Sequence, residues 1–430
     1  MNAVEKSLKS QRDRAGVAGS TDAQASTPGS GERLWGEGRL VRKLLKMLGD
    51  PPVELVLPDG ERVSPDPSAP PAVTVRLKDR GVLFGLLRDT QVRFGDAYSE
   101  GRIDIEGDLV RLLEEVYHAS ARAEERRSVF RTISGLLKNR PRSNTLAGSR
   151  DNIHHHYDLG NDFYSLWLGD TMAYTCAYYP TANATLDEAQ RAKMDHVCRK
   201  LRLRAGESVV EAGFGWGGLA LHMARHYGVK VRAFNISHEQ VQYARERARR
   251  EGLDSRIEYV EDDYRNVSGC FDAFVSVGML EHVGVENYPT LGRVARRSIG
   301  ANGRGLIHSI GRNYPAPLHP WIEKRIFPGA YPPALSELSQ IFEPSDLSVI
   351  DVENLRLHYA QTLRHWLELY EANVAQVKRM FDAKFVRMWR LYLAGSIAAF
   401  TTGTLQLFQV VFTPRENNDI PLTRTYMYPG

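Results

Sequence analysis

The pattern of apolar and polar positions divides the chain into stretches of different character. Residues 1–32 hold Ser, Gly, Thr, Ala and charge with almost no large apolar side chains, a composition that predicts disorder. From Leu34 to Tyr117 short apolar segments alternate with turns. Leu40–Leu48, Leu83–Leu87 and Leu109–Tyr117 carry helical spacing, whereas Val53–Leu57 and Ala72–Leu77 read as strands. This predicts a small mixed α/β domain over residues 33–120. Over 121–150 a basic linker follows, in which Phe130, Ile133, Leu136 and Leu137 fall at helical spacing. Around them stand Arg122, Arg126, Arg127, Arg131, Lys138, Arg140, Arg142 and Arg150, against Glu124 and Glu125. Such a segment suits an anionic bilayer surface, or simply a solvated linker helix.

After Arg150 strands and helices alternate. The expected order is helix Leu186–Leu203, strand Ser208–Ala212, helix Gly218–Tyr227, strand Lys230–Asn235, helix His238–Glu251 and strand Ile257–Glu261. Strand Phe271–Val277, helix Tyr288–Ile299 and strand Gly305–Ile310 continue it. Such alternation predicts an α/β doubly wound, mostly parallel sheet of Rossmann-like type over residues 151–430, with its ligand crevice at the carboxyl ends of the strands. Beyond Trp321–Phe342 the pattern predicts helices Thr362–Val374 and Val377–Phe400, then a strand Leu405–Phe412 added antiparallel at the sheet edge.

A chain of 430 residues is long for one core, in keeping with two domains. The formal net charge of +4 is too small to imply nucleic acid. Cys176, Cys198 and Cys270 are too few and too irregularly spaced for a disulfide framework or a zinc knuckle, which suits a reducing cytosol. The three adjacent histidines His154, His155 and His156 cannot all face one ion, so no metal site is expected. The first residues lack the apolar core of a secretory signal. The most apolar stretch, Ile397–Phe412, is broken by threonines, a glycine and glutamines, so no transmembrane segment is expected and any membrane contact is peripheral.

Chemistry concentrates at Val209–Gly218, where an apolar strand carries Glu211 into Gly213, Gly215 and Gly217 and then into a helix. Glycines let the backbone approach a ligand, and a helix N-terminus presents N–H groups to it. The same pattern serves dinucleotides and S-adenosylmethionine (SAM). A dinucleotide site wants an acid after the second strand, but that position reads Phe234-Asn235-Ile236-Ser237. The run Asp262-Asp263-Tyr264 after the third strand offers a carboxylate for an exocyclic amine and an aromatic for stacking, which favours SAM.

Six segments stand around this corner: His156–Tyr164, Tyr174–Tyr178, Gly278–Gly284, Leu306–Gly311, Ile326–Gly329 and His358–Leu363. Together they resemble the cyclopropane fatty acid synthases and their mycolic acid relatives, SAM-dependent methyltransferases acting on lipid double bonds. The resemblance implies SAM contacts from Tyr174, Thr175, Gly213, Gly215, Asn235, Ile236, Gln240 and Tyr264, to which the glycine corner and the acidic run add Glu211, Gly217 and Asp263. It further implies a catalytic pocket of Cys176, Glu281, His308, Ile310 and Tyr359 that holds bicarbonate as general base. Read singly, each has a plainer role: Cys176 as a small buried side chain, Glu281 with His282 as a helix cap, His308 as a strand histidine.

The chain departs from the family pattern at Phe214 (usually Cys), Glu211 (Asp), Asn235 (Thr) and Tyr264 (often Trp), changes that keep the glycine turn. Phe94-Gly95-Asp96-Ala97-Tyr98-Ser99-Glu100-Gly101 resembles the lipid-handling domain of the bacterial phospholipid enzymes, which the mycolic acid enzymes lack. The expectation is therefore a cytoplasmic protein, peripherally associated with the inner face of the membrane and possibly a homodimer. It would convert cis double bonds of unsaturated phospholipids to cyclopropanes. The alternatives are a methyl- or methylene-branched product, or a SAM- or lipid-binding protein whose catalysis has lapsed.

Overall fold

Among the described residues, eleven strands form two sheets. The computed structural model describes residues 36–127 and 159–428. The expectations for residues 1–32, for most of the basic segment 122–150 and for His154–Asp158 therefore lie outside the described residues.

β1 (Val53–Val56), β2 (Arg62–Val63), β3 (Val73–Leu77) and β4 (Ile103–Glu106) make the first sheet, in the order β2-β1-β3-β4. Against it pack helices Glu37–Met47, Arg80–Arg88, Thr90–Ser99 and Leu109–Arg127, joined by one apolar core through Leu44, Val75, Leu83 and Ile103. The strands β2 and β4 and the helix Thr90–Ser99 go beyond the elements read from periodicity; two to four residues are too few to show a strand period, and the helix interleaves Gly95, Asp96 and Ser99 with its apolar positions.

The second sheet contains β5 (Ser208–Ala212), β6 (Lys230–Asn235), β7 (Ile257–Glu261), β8 (Phe271–Val277), β9 (Ile299–Gly311), β10 (Leu347–Asn354) and β11 (Gln406–Pro414). Its order is β10-β11-β9-β8-β5-β6-β7, parallel from β7 through β9 and antiparallel at β11 and β10. β5 and β6 run into the helices Gly218–His226 and His238–Arg250 at their carboxyl ends, and the order reverses beside β5. This is where an α/β sheet of this kind takes its ligand. The helix Leu186–Lys200 entering β5 starts on a capping box, in which Thr185 Oγ1 accepts from the Glu188 amide and Glu188 returns the bond to the Thr185 amide.

Two expectations need correction. The final strand is antiparallel as expected but not at the edge: β11 lies between β9 and β10 and is buried along its whole length. Its alternation serves two buried layers, with Phe408, Val410 and Phe412 entering one core and Val411 another. The strand left unread, β10, takes the edge, with Val349 and Val352 exposed and a bulge between Val349 and Asp351. The expected helix Val377–Phe400 is two helices, Val374–Met380 and Ala383–Thr401. Asp382 breaks it by capping the second, its Oδ1 accepting from the Phe385 amide at 2.7 Å.

The Phe94–Gly101 motif is a docking surface between the two sheets' helices. Gly95 faces Trp321 so closely that an added Cβ would lie 2.4 Å from the indole Nε1. Arg325 donates two bonds to Asp96 at 2.9 Å, and the Arg387 guanidinium sits 4.2 Å from the Tyr98 ring centroid. Gly95→Val therefore forces Trp321 out of place at a cost of roughly 1–3 kcal/mol. Its denaturation midpoint should fall clearly, as read by a thermal melt; an unchanged midpoint would show that the contact does not hold the two parts together.

Candidate active site

Two cavities meet at the carboxyl ends of β5, β6, β8 and β9. The first, of about 140 Å³, is lined by the glycine corner, by the end of β6 and by the turn after β7. Tyr174, Thr175, Glu211, Gly213, Gly215, Asn235, Ile236, Gln240, Asp263 and Tyr264 all line it. Gly213 and Gly215 adopt φ of 81° and 56°, a region that favours glycine. A Cβ on Gly213 would sit 2.8 Å from Met279 Cβ, so the cradle is open only because no side chain is there. Gly217, expected in the same wall, does not line the cavity: its amide donates to the Phe214 carbonyl, and a Cβ there would strike the Tyr259 hydroxyl at 2.5 Å. It serves helix-to-strand packing.

Asn235 holds the far wall by donating from Nδ2 to Gln240 Oε1 at 2.8 Å. Asp263 caps the turn Tyr264–Asn266 by accepting from the Arg265 amide, and the Arg265 guanidinium lies over the Tyr264 ring at 5.2 Å. Glu211 is buried with Oε2 unpartnered. Beside it stands Lys193, which the sequence reading missed; its Nζ donates to Thr175 Oγ1 at 2.8 Å. Burial pushes the Glu211 carboxyl up and the Lys193 ammonium down, each opposed by the other's charge. The signal for Lys193 was available: it shares the buried face of Leu186, Ala189, Gln190, Met194 and Val197, where a lysine is out of place. The orphaned carboxylate, the glycine cradle and the lysine fit a zwitterionic amino-acid tail of the kind SAM carries.

The segment Asn161–Tyr164 supports this cradle from behind rather than entering it. Trp216 Nε1 donates to Asn161 Oδ1 at 2.7 Å, and Tyr164 packs on Trp216 at 4.9 Å between centroids.

The second cavity, of about 650 Å³, is mostly apolar, and Cys176, Glu281, His308, Ile310 and Tyr359 all line it. It shares Tyr174, Thr175, Gly278 and His282 with the first cavity, so the two abut there. From this junction it reaches into the N-terminal part, past Leu45, Leu55, Val75, Phe94 and Leu113.

Glu281 follows β8 in a short turn; its Oε1 accepts from the Ile310 amide at 2.6 Å, while Oε2 is buried without a partner. Burial raises its pKa to about 7. The Ile310 amide is thus already engaged, and Ile310 orients Glu281 rather than offering a free donor to a guest. His308 accepts at Nδ1 from the Gln409 side-chain Nε2 at 3.0 Å, leaving the proton of the neutral ring on its own Nε2, which has no partner. Burial holds this imidazole well below its ordinary pKa, and that of neighbouring His282 at about 4. Gln409, on the buried strand β11, was also missed; a polar residue inside an apolar alternation was its only mark. The Cys176 thiol, pushed up by burial, is a neutral wall that donates to the Ala177 carbonyl. Tyr359 packs on Phe400 at 4.6 Å and turns toward the chamber. A buried acceptor at Glu281 and a buried donor at His308, both unsatisfied, fit a small oxyanion such as bicarbonate.

The family model described as mycolic acid cyclopropane synthetase matches residues 145–410, and one described as a domain of unknown function matches residues 40–127. A probable fatty acid methyltransferase of Pseudomonas putida is 37% identical over 391 residues, covering 88% of this chain and 96% of the relative. The cyclopropane-fatty-acyl-phospholipid synthase of Escherichia coli is 40% identical over 270 residues, 63% of this chain and 69% of the relative. A crystal structure of a mycolic acid cyclopropane synthase complexed with SAH and CTAB superposes with a TM-score of 0.58 at 28% identity, covering 61% of this chain and 97% of that one. With the glycine cradle in place and the family matched across most of the chain, the protein belongs to the mycolic acid cyclopropane synthetase family and is a SAM-dependent methyltransferase.

Proposed function

We propose that this enzyme converts cis double bonds in the acyl chains of unsaturated phospholipids to cyclopropanes, with a bicarbonate between Glu281 and His308 as general base. The junction of the cavities carries the reading: a polar cradle opens onto a long apolar chamber, and beside it Glu281 Oε2 and His308 Nε2 await partners. SAM would supply an electrophilic methyl and bicarbonate a small base; the side chains do the rest. An alkene carbon that gains a methyl leaves positive charge on its neighbour, with no heteroatom at hand to take up a proton. Tyr359 presents a ring face to that charge. His308 donates and Glu281 accepts at one point, which positions a base without exposing a charged carboxylate to alkylation. Tyr174 and Thr175 close the gap between donor and chain.

The N-terminal part, residues 33–120, would be the lipid-handling domain, because its core side chains line the chamber. With 121–150 as linker and 151–430 as catalytic domain, we place the enzyme at the cytoplasmic membrane surface. None of the helices among the described residues is long and apolar enough to cross a membrane. A homodimer would set two basic segments on one surface; a monomer on size-exclusion chromatography would remove that arrangement.

Purified enzyme with SAM and liposomes of unsaturated phospholipid should yield acyl chains heavier by one methylene. No mass gain would overturn the reading. A branched product is the second reading, supported by the name of the Pseudomonas relative. NMR separates the two, since cyclopropane protons resonate in an isolated upfield region and a methylene branch keeps olefinic protons.

A further inference from the structure

The wall of the second cavity contains one guanidinium for which the reaction above has no use. Arg312 directly follows β9 and lines the same chamber as His308 and Ile310. The three alternate along an extended backbone and so share one face of it. At about 3.3 Å per residue, Arg312 lies roughly 13 Å along the strand from His308. That is the order of the distance from a mid-chain double bond to its acyl ester.

Arg312 is half-buried, and its Nε is fully buried without a hydrogen-bond partner. Tyr117, Tyr314 and His319 line the same chamber as Arg312, and the carboxylates of this region are held by other groups, Glu337 accepting from the Tyr331 hydroxyl and Asp89 standing beside His319. Among the described residues no carboxylate pairs with it. A half-buried guanidinium whose Nε has neither a hydrogen-bond partner nor a paired carboxylate is a place for an anion that arrives with a ligand. The chamber also has a direction. Its catalytic end is closed, with Cys176 and His308 at most 1% exposed, whereas Tyr314 at the Arg312 end is 59% exposed.

We propose that Arg312, flanked by Tyr117 and His319, binds the oxyanion at the head of the acyl substrate. It would thereby set how deep the chain enters and which bond reaches Glu281 and His308. The planar guanidinium accepts a phosphodiester or a carboxylate equally well through paired N–H donors. Tyr117 comes from the helix Leu109–Arg127, so the head would be gripped from both parts of the chain. The inference rests on the acyl-lipid reading above.

The test compares wild type, Arg312→Gln and Arg312→Lys on four monounsaturated substrates of the same acyl chain: phosphatidylglycerol, phosphatidylethanolamine, the free fatty acid and its uncharged methyl ester, all in detergent micelles. For wild type, KM should be lowest on the anion-bearing substrates. Arg312→Gln should raise KM on those on the order of 30-fold while leaving the methyl ester and SAM affinity unchanged, and Arg312→Lys should recover part of the loss. A loss on the phospholipids alone identifies the phosphodiester, and a loss on the free acid alone identifies the carboxylate. An equal fall on all four substrates would show a merely structural wall and overturn the inference. Wild-type turnover without dependence on Arg312 would overturn it while leaving the proposed function standing; no turnover on any substrate by wild type would remove both. The double-bond position modified in a chain with two cis bonds gives a second readout, which should lose selectivity in Arg312→Gln.

Discussion

Replacing Glu281 by glutamine should lower turnover on the order of 10²–10⁴-fold while leaving SAM affinity and the fold intact. The amide keeps the shape and can still accept from the Ile310 amide, but it places N–H donors where Oε2 now stands as an acceptor. The same variant has a stability signature of defined sign. Burial raises the folded carboxyl to about 7 from an ordinary 4.5, so between those values the folded chain keeps a proton that the unfolded chain has released. The carboxyl thus favours folding less and less as pH rises through that window, and the penalty is complete above about pH 7, at roughly 3 kcal/mol at most. Glu281→Gln removes it. At pH 8 the variant should melt no lower than wild type, and any advantage should shrink as pH falls toward 5. Calorimetry of the two proteins with a turnover assay using labelled SAM checks both halves. Full activity in the variant would take Glu281 out of the proposed reaction, and a lower melting point at pH 8 would mean the activity loss reflects damage to the fold.

The second large effect is expected at the glycine corner. Gly213→Val places a β-branched side chain at φ 81° and a Cβ 2.8 Å from Met279 Cβ. Backbone strain of this kind costs about 1–3 kcal/mol, and the new methyls fill the cradle as well. SAM affinity should fall on the order of 10–100-fold by titration calorimetry. Gly206→Val provides the control, because Gly206 has φ 89° with nothing within 4 Å of an added Cβ and lies at the opposite end of β5. It carries similar strain but should leave SAM affinity unchanged. Equal affinity losses in both variants would place the effect in general destabilisation rather than in the cradle.

The N-terminal part also changes how the chamber is understood. The match to the mycolic acid cyclopropane synthetase family covers residues 145–410, whereas Leu45, Val75 and Leu113 of the cavity wall come from the part before it. Docking through Gly95, Asp96 and Tyr98 makes this wall continuous with the catalytic residues. The motif that resembles a lipid-handling domain is therefore, in three dimensions, the joint that lets the two parts share one cavity.

What the sequence determined by itself was local. The periods of β5 to β8 and their helices were legible because each strand is short, carries a buried apolar face and is bounded by turns. Gly213 and Gly215 were legible because positive φ leaves a narrow choice of residue. The motifs around Glu281, His308 and Tyr359 were legible because they recur as ordered strings. What only the tertiary structure decided was which faces meet. The place of β11 depended on β10, a strand whose exposed face blurs its own pattern. Gly217 shares a motif with Gly213 yet packs against Tyr259, since spacing along a turn does not say which side the ligand is on. The Ile310 amide turns out to be committed to Glu281, and Lys193 and Gln409 reach the site from elements tens to a hundred residues away. Hydrogen-bond partners and cavity walls are long-range facts: they depend on chain closure over distances that no local period records.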